Sequence, residues 1–221
     1  APKSIPSPAS HPRSEALDSW NLLPTKPNWA KGFHQHWTPG EAGAQERLED
    51  LIDADLHDYK RGRDFPAIDA TSRLSPHLAL GEISPARIWH ATNGLAERHR
   101  DDLVHYRKEL AWRDFCYNLL VEFPDLRTKN WDDKFDAFEW EFDAADFRAW
   151  TKGLTGYPIV DAGMRELWQT GYMHNRVRMI TASFLIKDLL IDWRRGGEWV
   201  RVTLLGADPP SNTANRQWVA G

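Results

Sequence analysis

Between Asn175 and Trp193 the chain runs NRVRMITASFLIKDLLIDW, and Val177, Met179, Ile180, Phe184, Leu185, Ile186, Leu189, Leu190 and Ile191 leave it almost no polar face. A helix that is apolar nearly all round must be buried. The spacing therefore predicts a central helix over 175–193, enclosed by other helices. Its first turn carries Arg176 and Arg178, where a helix presents unpaired N–H groups and partial positive charge. Two cations there need a counter-charge. Either an anion sits beside them, as phosphates do at helix N-termini, or carboxylates reach them from elsewhere.

The rest of the chain keeps the helical period. Leu48, Leu51, Ile52 and Leu56 mark one face of a helix over 42–59, and 103–123 and 158–170 read as two more. Ser75-Pro76 and Ser84-Pro85 each read as an N-cap followed by proline at the first helical position. No alternating strand pattern and no internal repeat occurs. The expected fold class is all-α: an irregular segment over 1–41, with a flexible Pro/Ser/Ala-rich linker to about Ser19, and a helical domain over 42–221.

With 221 residues the chain can bury a substantial core. Its single cysteine, Cys116, excludes an internal disulfide and any multi-cysteine metal site, and a reducing, cytoplasmic location follows as the expectation. His34 and His36 lack further ligands, so no metal is expected. No run is apolar enough to cross a bilayer and no leader opens the sequence, which points away from membranes. The net charge of −4 argues mildly against a polyanionic partner. Arg61, Arg63, Arg73, Arg113, Arg176 and Arg178 still supply a local basic face, while Asp132 to Asp146 concentrates the acid.

Two constellations carry chemistry. Thr71-Ser72-Arg73-Leu74-Ser75 sets three hydroxyls and several backbone N–H groups at a helix start, either simple capping or a cradle for a diphosphate. Glu109, Trp112, Arg113 and Cys116 share one helix face, which accommodates an ordinary Glu109–Arg113 ion pair beside a core tryptophan.

The blocks TGYPIVDAGMREL and NRVRMITASFLIKDLLIDWR, with LLPTKPNWAKGFHQHWTPGEAGA and RDFPAIDATSRLSPHLALGEISP before them, resemble the signature segments of the DNA photolyase/cryptochrome family. Their order suits the bacterial class I cyclobutane pyrimidine dimer photolyases. The resemblance implies an all-α FAD-binding domain and light-driven repair of UV-damaged DNA by a monomer. An expected α/β antenna domain is not in the sequence, so no antenna chromophore is expected on this chain.

The resemblance also assigns residues. Tyr59, Thr71, Ser72, Arg73, Leu74, Ser75, Arg113, Asn175, Arg178, Gly206, Asp208 and Asn212 match flavin positions, with Asn212 facing the flavin N5 atom. Glu109 would hydrogen-bond the dimer, and Trp112 and Trp218 would wall its pocket. Arg63, Cys116, Asn175 and Arg176 match DNA contacts. Trp140 and Trp193 match two members of an electron-carrying tryptophan chain.

Two positions depart from the family. Arg216 stands where the flavin-proximal tryptophan belongs, and a guanidinium cannot relay an electron, so light-driven flavin reduction is expected to be impaired. Gly206 replaces the acid that pairs with Arg178, leaving Asp208 as the substitute. Rival readings are a cryptochrome-like photosensor and a flavin-free helical fragment.

Overall fold

The computed structural model describes residues 6–7, 10, 12–23, 25–26 and 28–221. Among them the regular elements are helices, and the nearest approach to a sheet is an isolated bridge between Glu141 and Ile191. The helices are α1 (Glu41–Asp50), α2 (Tyr59–Gly62), α3 (Ser75–Leu80), α4 (Pro85–Ala91), α5 (Arg100–Glu122), α6 (Ala144–Lys152), α7 (Pro158–Thr170), α8 (Asn175–Ser183), α9 (Trp193–Thr203) and α10 (Pro209–Ala220). The all-α expectation holds. No helix among the described residues is long and apolar enough to cross a membrane.

Local chemistry sets several ends. Asp143 caps α6, accepting from the Ala145 and Asp146 amides at 2.6 and 3.0 Å. Ser84 caps α4 through the Arg87 amide at 3.2 Å, as its pairing with Pro85 predicts. Ser75 does not cap α3. It is the first helical residue, Leu74 takes the cap position with no side-chain bond, and Pro76 follows inside the first turn.

The helix expected over 42–59 is interrupted. After α1 the chain loosens into a π turn over Leu51–Asp55, Asp58 adopts a left-handed conformation (φ 59°), and α2 restarts at Tyr59. The central helix is also shorter than 175–193. It ends at Ser183, passes through a π turn over Phe184–Asp188, and breaks where Leu190 turns left-handed (φ 52°). The freed backbone groups find partners, with the Leu190 carbonyl accepting from the Glu141 amide at 2.9 Å and the Ile191 amide donating to Leu185 at 3.1 Å. Its faces are unequal too, since Val177 and Ala182 are buried while Ile180 is exposed.

Four apolar clusters hold the helices together. One joins Leu48, Leu51, Leu56, Leu74, Ile88 and Leu110; a second joins Trp150, Met164, Leu167, Leu185, Ile191 and Val200. Smaller ones form around Cys116 and Leu119, and around Ile186 and Trp193. Part of the 1–41 segment is docked. Trp37 donates its indole N–H to the Thr170 carbonyl at 2.7 Å, and Trp29 stacks on Trp168 with centroids 6.4 Å apart. The flexible-linker expectation for 1–19 falls partly on residues outside those described.

Candidate functional site

The four clusters surround a cavity of about 760 Å³, within the size range of cofactor pockets. Its walls come from α2, the 71–75 turn, α5, the 172–174 connection, α8, the 204–208 turn and α10. Tyr59, Thr71, Ser72, Arg73, Leu74, Ser75, Arg113, Asn175, Arg178, Gly206, Asp208 and Asn212 all line it. So do Arg63, Glu109, Trp112, Cys116, Arg176, Trp218 and Arg216. Trp140 and Trp193 do not; they lie together in the cluster behind α8.

One wall is a ladder of phenols and hydroxyls. Thr71 shares a 3.0 Å hydrogen bond with the Tyr172 hydroxyl, and the Arg73 guanidinium lies 5.4 Å from the centre of the Tyr172 ring. The Tyr106 hydroxyl donates to Ser72 Oγ at 3.5 Å, and the Tyr59 and Tyr106 rings meet edge to face at 5.3 Å. Burial pushes the Tyr106 hydroxyl pKa up to about 12, against the Ser72 bond, and raises that of Tyr59 further. Burial likewise raises Tyr172. All three stay neutral donors at physiological pH.

Cations line the same cavity. Arg63 makes a close ion pair with Glu109, so the Glu109–Arg113 pair available on one helix face does not form. Arg113 instead packs 4.8 Å over the Tyr117 ring and donates to its hydroxyl at 3.3 Å. Arg176 takes a carboxylate, gripping Asp64 Oδ1 with Nε at 2.9 Å and Nη2 at 2.6 Å. Arg178 donates to Asn175 Oδ1 at 2.9 Å and has no ion-pair partner among the described residues. Of the two alternatives for a cationic helix start, Arg176 thus takes the carboxylate, while Arg178 has none among the described residues.

Asp208 does not stand in for the missing acid. It caps α10, accepting from the Ser211 amide at 3.2 Å and hydroxyl at 2.5 Å, and it accepts from Tyr117 at 2.6 Å. That last bond is the main reason the Tyr117 pKa rises. At Gly206 a Cβ would stand 2.9 Å from Ser75 Oγ and 3.1 Å from its carbonyl carbon, so glycine lets the two turns touch.

Several buried donors lack partners. His174 accepts from the Arg176 amide through Nδ1 at 3.2 Å, which leaves the proton on Nε2. Burial and the nearby Arg176, Arg63 and Arg178 lower its pKa, keeping it neutral. Among the described residues His174 Nε2, Arg73 Nε, Arg107 Nε and Arg216 Nε have no hydrogen-bond partner; His174 and Arg73 line the cavity, and Arg216 lies between it and a smaller cleft. Buried polar groups are normally satisfied, so orphans concentrated on one cavity indicate a polar ligand. Arg216 is 4% exposed; burial and the charge of Arg178 bring its pKa down to about 9.

At the open side Trp112 and Trp218, 52% and 67% exposed, meet edge to face with centroids 6.4 Å apart. Tyr106, Tyr172 and His174 are lining residues that the sequence reading missed. Tyr106 was reachable, because it precedes Glu109 by one helical turn on the same face of α5. Tyr172 and His174 sit in a connection with no period to betray them. Among the described residues no cluster of His, Cys, Asp or Glu can hold a metal ion.

Comparison with known proteins agrees with this geometry. The family model described as the FAD binding domain of DNA photolyase matches residues 106–221, more than half of the chain. The chain is 64% identical over 222 residues to the deoxyribodipyrimidine photo-lyase of Agrobacterium fabrum, covering 100% of this chain and 46% of that protein. It therefore spans about half the length of the curated relatives it matches.

Among solved structures, a bacterial class III photolyase from Agrobacterium tumefaciens superposes with a TM-score of 0.96 at 63% identity, over 100% of this chain and 46% of its own. A cryptochrome from Synechocystis superposes with a TM-score of 0.79 at 38% identity, over 84% of this chain and 40% of its own. The first of these is class III, where the sequence motifs led to an expectation of class I. With a matching family model over most of α5 to α10 and relatives at this level of identity, the chain belongs to the DNA photolyase family, in the part that forms its FAD binding domain.

Proposed function

We propose that the chain is the flavin-holding part of a deoxyribodipyrimidine photo-lyase, of the class III kind, that repairs cyclobutane pyrimidine dimers in UV-damaged DNA. One observation carries this reading: residues matching flavin positions and residues matching lesion positions line the same cavity, with Trp112 and Trp218 at its open side. The cavity volume and the unpartnered donors of Arg73 and His174 suit a large polar ligand such as FAD.

In this reading Thr71, Ser72 and the backbone of the 71–75 turn hold the diphosphate, helped by the N-terminus of α3. Arg178 and Asn212 face the ring system. When bound and reduced, FAD supplies the light-excited electron that opens the dimer's cyclobutane ring and takes the electron back. Glu109 hydrogen-bonds the dimer, and Trp112 and Trp218 stack on its bases, each contact worth about 1–3 kcal/mol. Arg63 and Arg176 meet the phosphate backbone, exchanging Glu109 and Asp64 for DNA oxygens. The lesion must leave the duplex to reach the cavity; photolyases are a named example of base flipping. A cytoplasmic, monomeric protein fits the single free cysteine, buried as Cys116.

The test is a repair assay. Protein loaded with reduced FAD is illuminated with an oligonucleotide carrying one thymine dimer, and dimer loss is followed by chromatography. Light-dependent loss supports the proposal. Bound flavin with no dimer loss favours the cryptochrome-like photosensor instead.

A further inference from the structure

A second, smaller cleft of about 60 Å³ lies between α9 and α10, on the far side of Arg216 from the large cavity. Its walls include Arg127, Arg194, Arg201, Arg216, Glu198 and Thr213. Of these cations Arg194 pairs with Asp192 at 3.0 Å and Arg201 with Glu198 at 2.5 Å. Arg127 and Arg216 make no ion pair among the described residues. The cleft therefore carries more positive than negative charge.

Arg216 is the reason that imbalance matters. Its side chain is buried, and among the described residues its Nε–H has no partner and its one hydrogen bond is a 3.5 Å contact from Nη2 to Asn212 Oδ1. The space for it comes from two glycines of α9. A Cβ on Gly196 would stand 3.3 Å from Nη1, and one on Gly197 would stand 3.5 Å from Cδ and 3.7 Å from Nε. Gly197 and Arg216 both line the cleft, so the Arg216 side chain borders it. A buried charge left unpaired is destabilising, and an anion in this position offsets it.

We infer that the cleft between α9 and α10 is a binding site for a tetrahedral oxyanion, phosphate above all, held by Arg216 from within and Arg127 from the surface. The size agrees: at about 10–15 Å³ per water, the cleft holds roughly four to six waters, room for one phosphate group. Guanidinium groups suit phosphate because their planar N–H pairs match its oxygens. Thr213 adds a hydroxyl. The phosphate can be free in solution or belong to a polynucleotide.

Equilibrium dialysis of the chain against radiolabelled orthophosphate tests the site. One saturable phosphate per chain is expected, weakened at least tenfold by Arg127→Gln, an exposed position whose loss leaves the core intact, and by Arg216→Gln. Displacement of the label by an undamaged oligodeoxynucleotide identifies the polynucleotide as the source, and its failure identifies the free ion; either supports the site. Absence of saturable binding by the folded chain overturns the inference. So does binding that survives both arginine changes, or that is lost on Ser72→Ala while Arg127→Gln retains it, because the ion then sits in the large cavity.

Discussion

Arg63 closes onto Glu109 at the edge of the large cavity while its guanidinium lies 5.6 Å from the centre of the Tyr59 ring. Burial works to lower the Arg63 pKa, but the Glu109 hydrogen bond and the charges of Glu109 and Asp64 raise it. The pair joins a residue matched to a DNA contact to one matched to the dimer, so under the proposed function substrate separates them. Glu109→Ala is expected to lower the unfolding free energy by about 1–2 kcal/mol, between the exposed and buried limits for ion pairs. Light-driven dimer loss should fall tenfold or more, the value of about 1.5–3 kcal/mol for a charged hydrogen bond. Urea unfolding and the repair assay read the two effects separately.

Arg216 is a buried cation set near a second one, Arg178, and neither has a carboxylate among the described residues. Replacing it with methionine should stabilise the protein by about 1–4 kcal/mol at pH 7. The direction of the pH dependence follows from linkage. Its native pKa of about 9 lies below the unfolded value, so the native state gives up this proton first. The penalty is full below pH 9 and fades as pH rises through it, and the advantage of Arg216→Met should shrink accordingly. Denaturation curves of both proteins from pH 7 to 10 decide this.

The same residue stands between a pair of indoles and the large cavity. Trp193 donates to Asn130 at 2.9 Å and is buried beside half-buried Trp140. Arg216 adjoins Trp193 at the small cleft and also lines the large cavity. An Arg216→Trp protein carrying oxidised FAD should therefore reach the reduced state under blue light at least tenfold faster than the natural sequence, measured by absorbance with an external reductant. Equal rates would show that electrons take another route.

Gly206→Ala should cost about 1–3 kcal/mol, the usual penalty for overpacking, because the added carbon meets the Ser75 backbone. Thermal unfolding of the variant checks it. A larger acidic side chain there meets the same obstacle, so restoring the acid alone is not expected to rescue Arg178.

Much of this site was legible in the sequence because it is built from local signals. The hydroxyl run at 71–75, the helical spacing of Glu109, Trp112, Arg113 and Cys116, and the two arginines opening α8 each survive as contiguous wall segments. What escaped was set by packing across the chain. Arg63 chose Glu109 and Arg176 chose Asp64 through tertiary contacts that no local spacing encodes. The break after Ser183 was hidden because the turn carrying Leu189 to Ile191 is as apolar as the helix before it. Asp208 looked like a counter-ion, and became a cap because the N-terminus of α10 lies nearest.

Flavin titration tests the central claim most directly. FAD added to the folded chain should show saturable quenching of its fluorescence at one equivalent, and Ser72→Ala with Arg73→Gln should weaken that binding at least tenfold. A chain whose circular dichroism is helical but which leaves flavin fluorescence unchanged at every ratio would contradict the account.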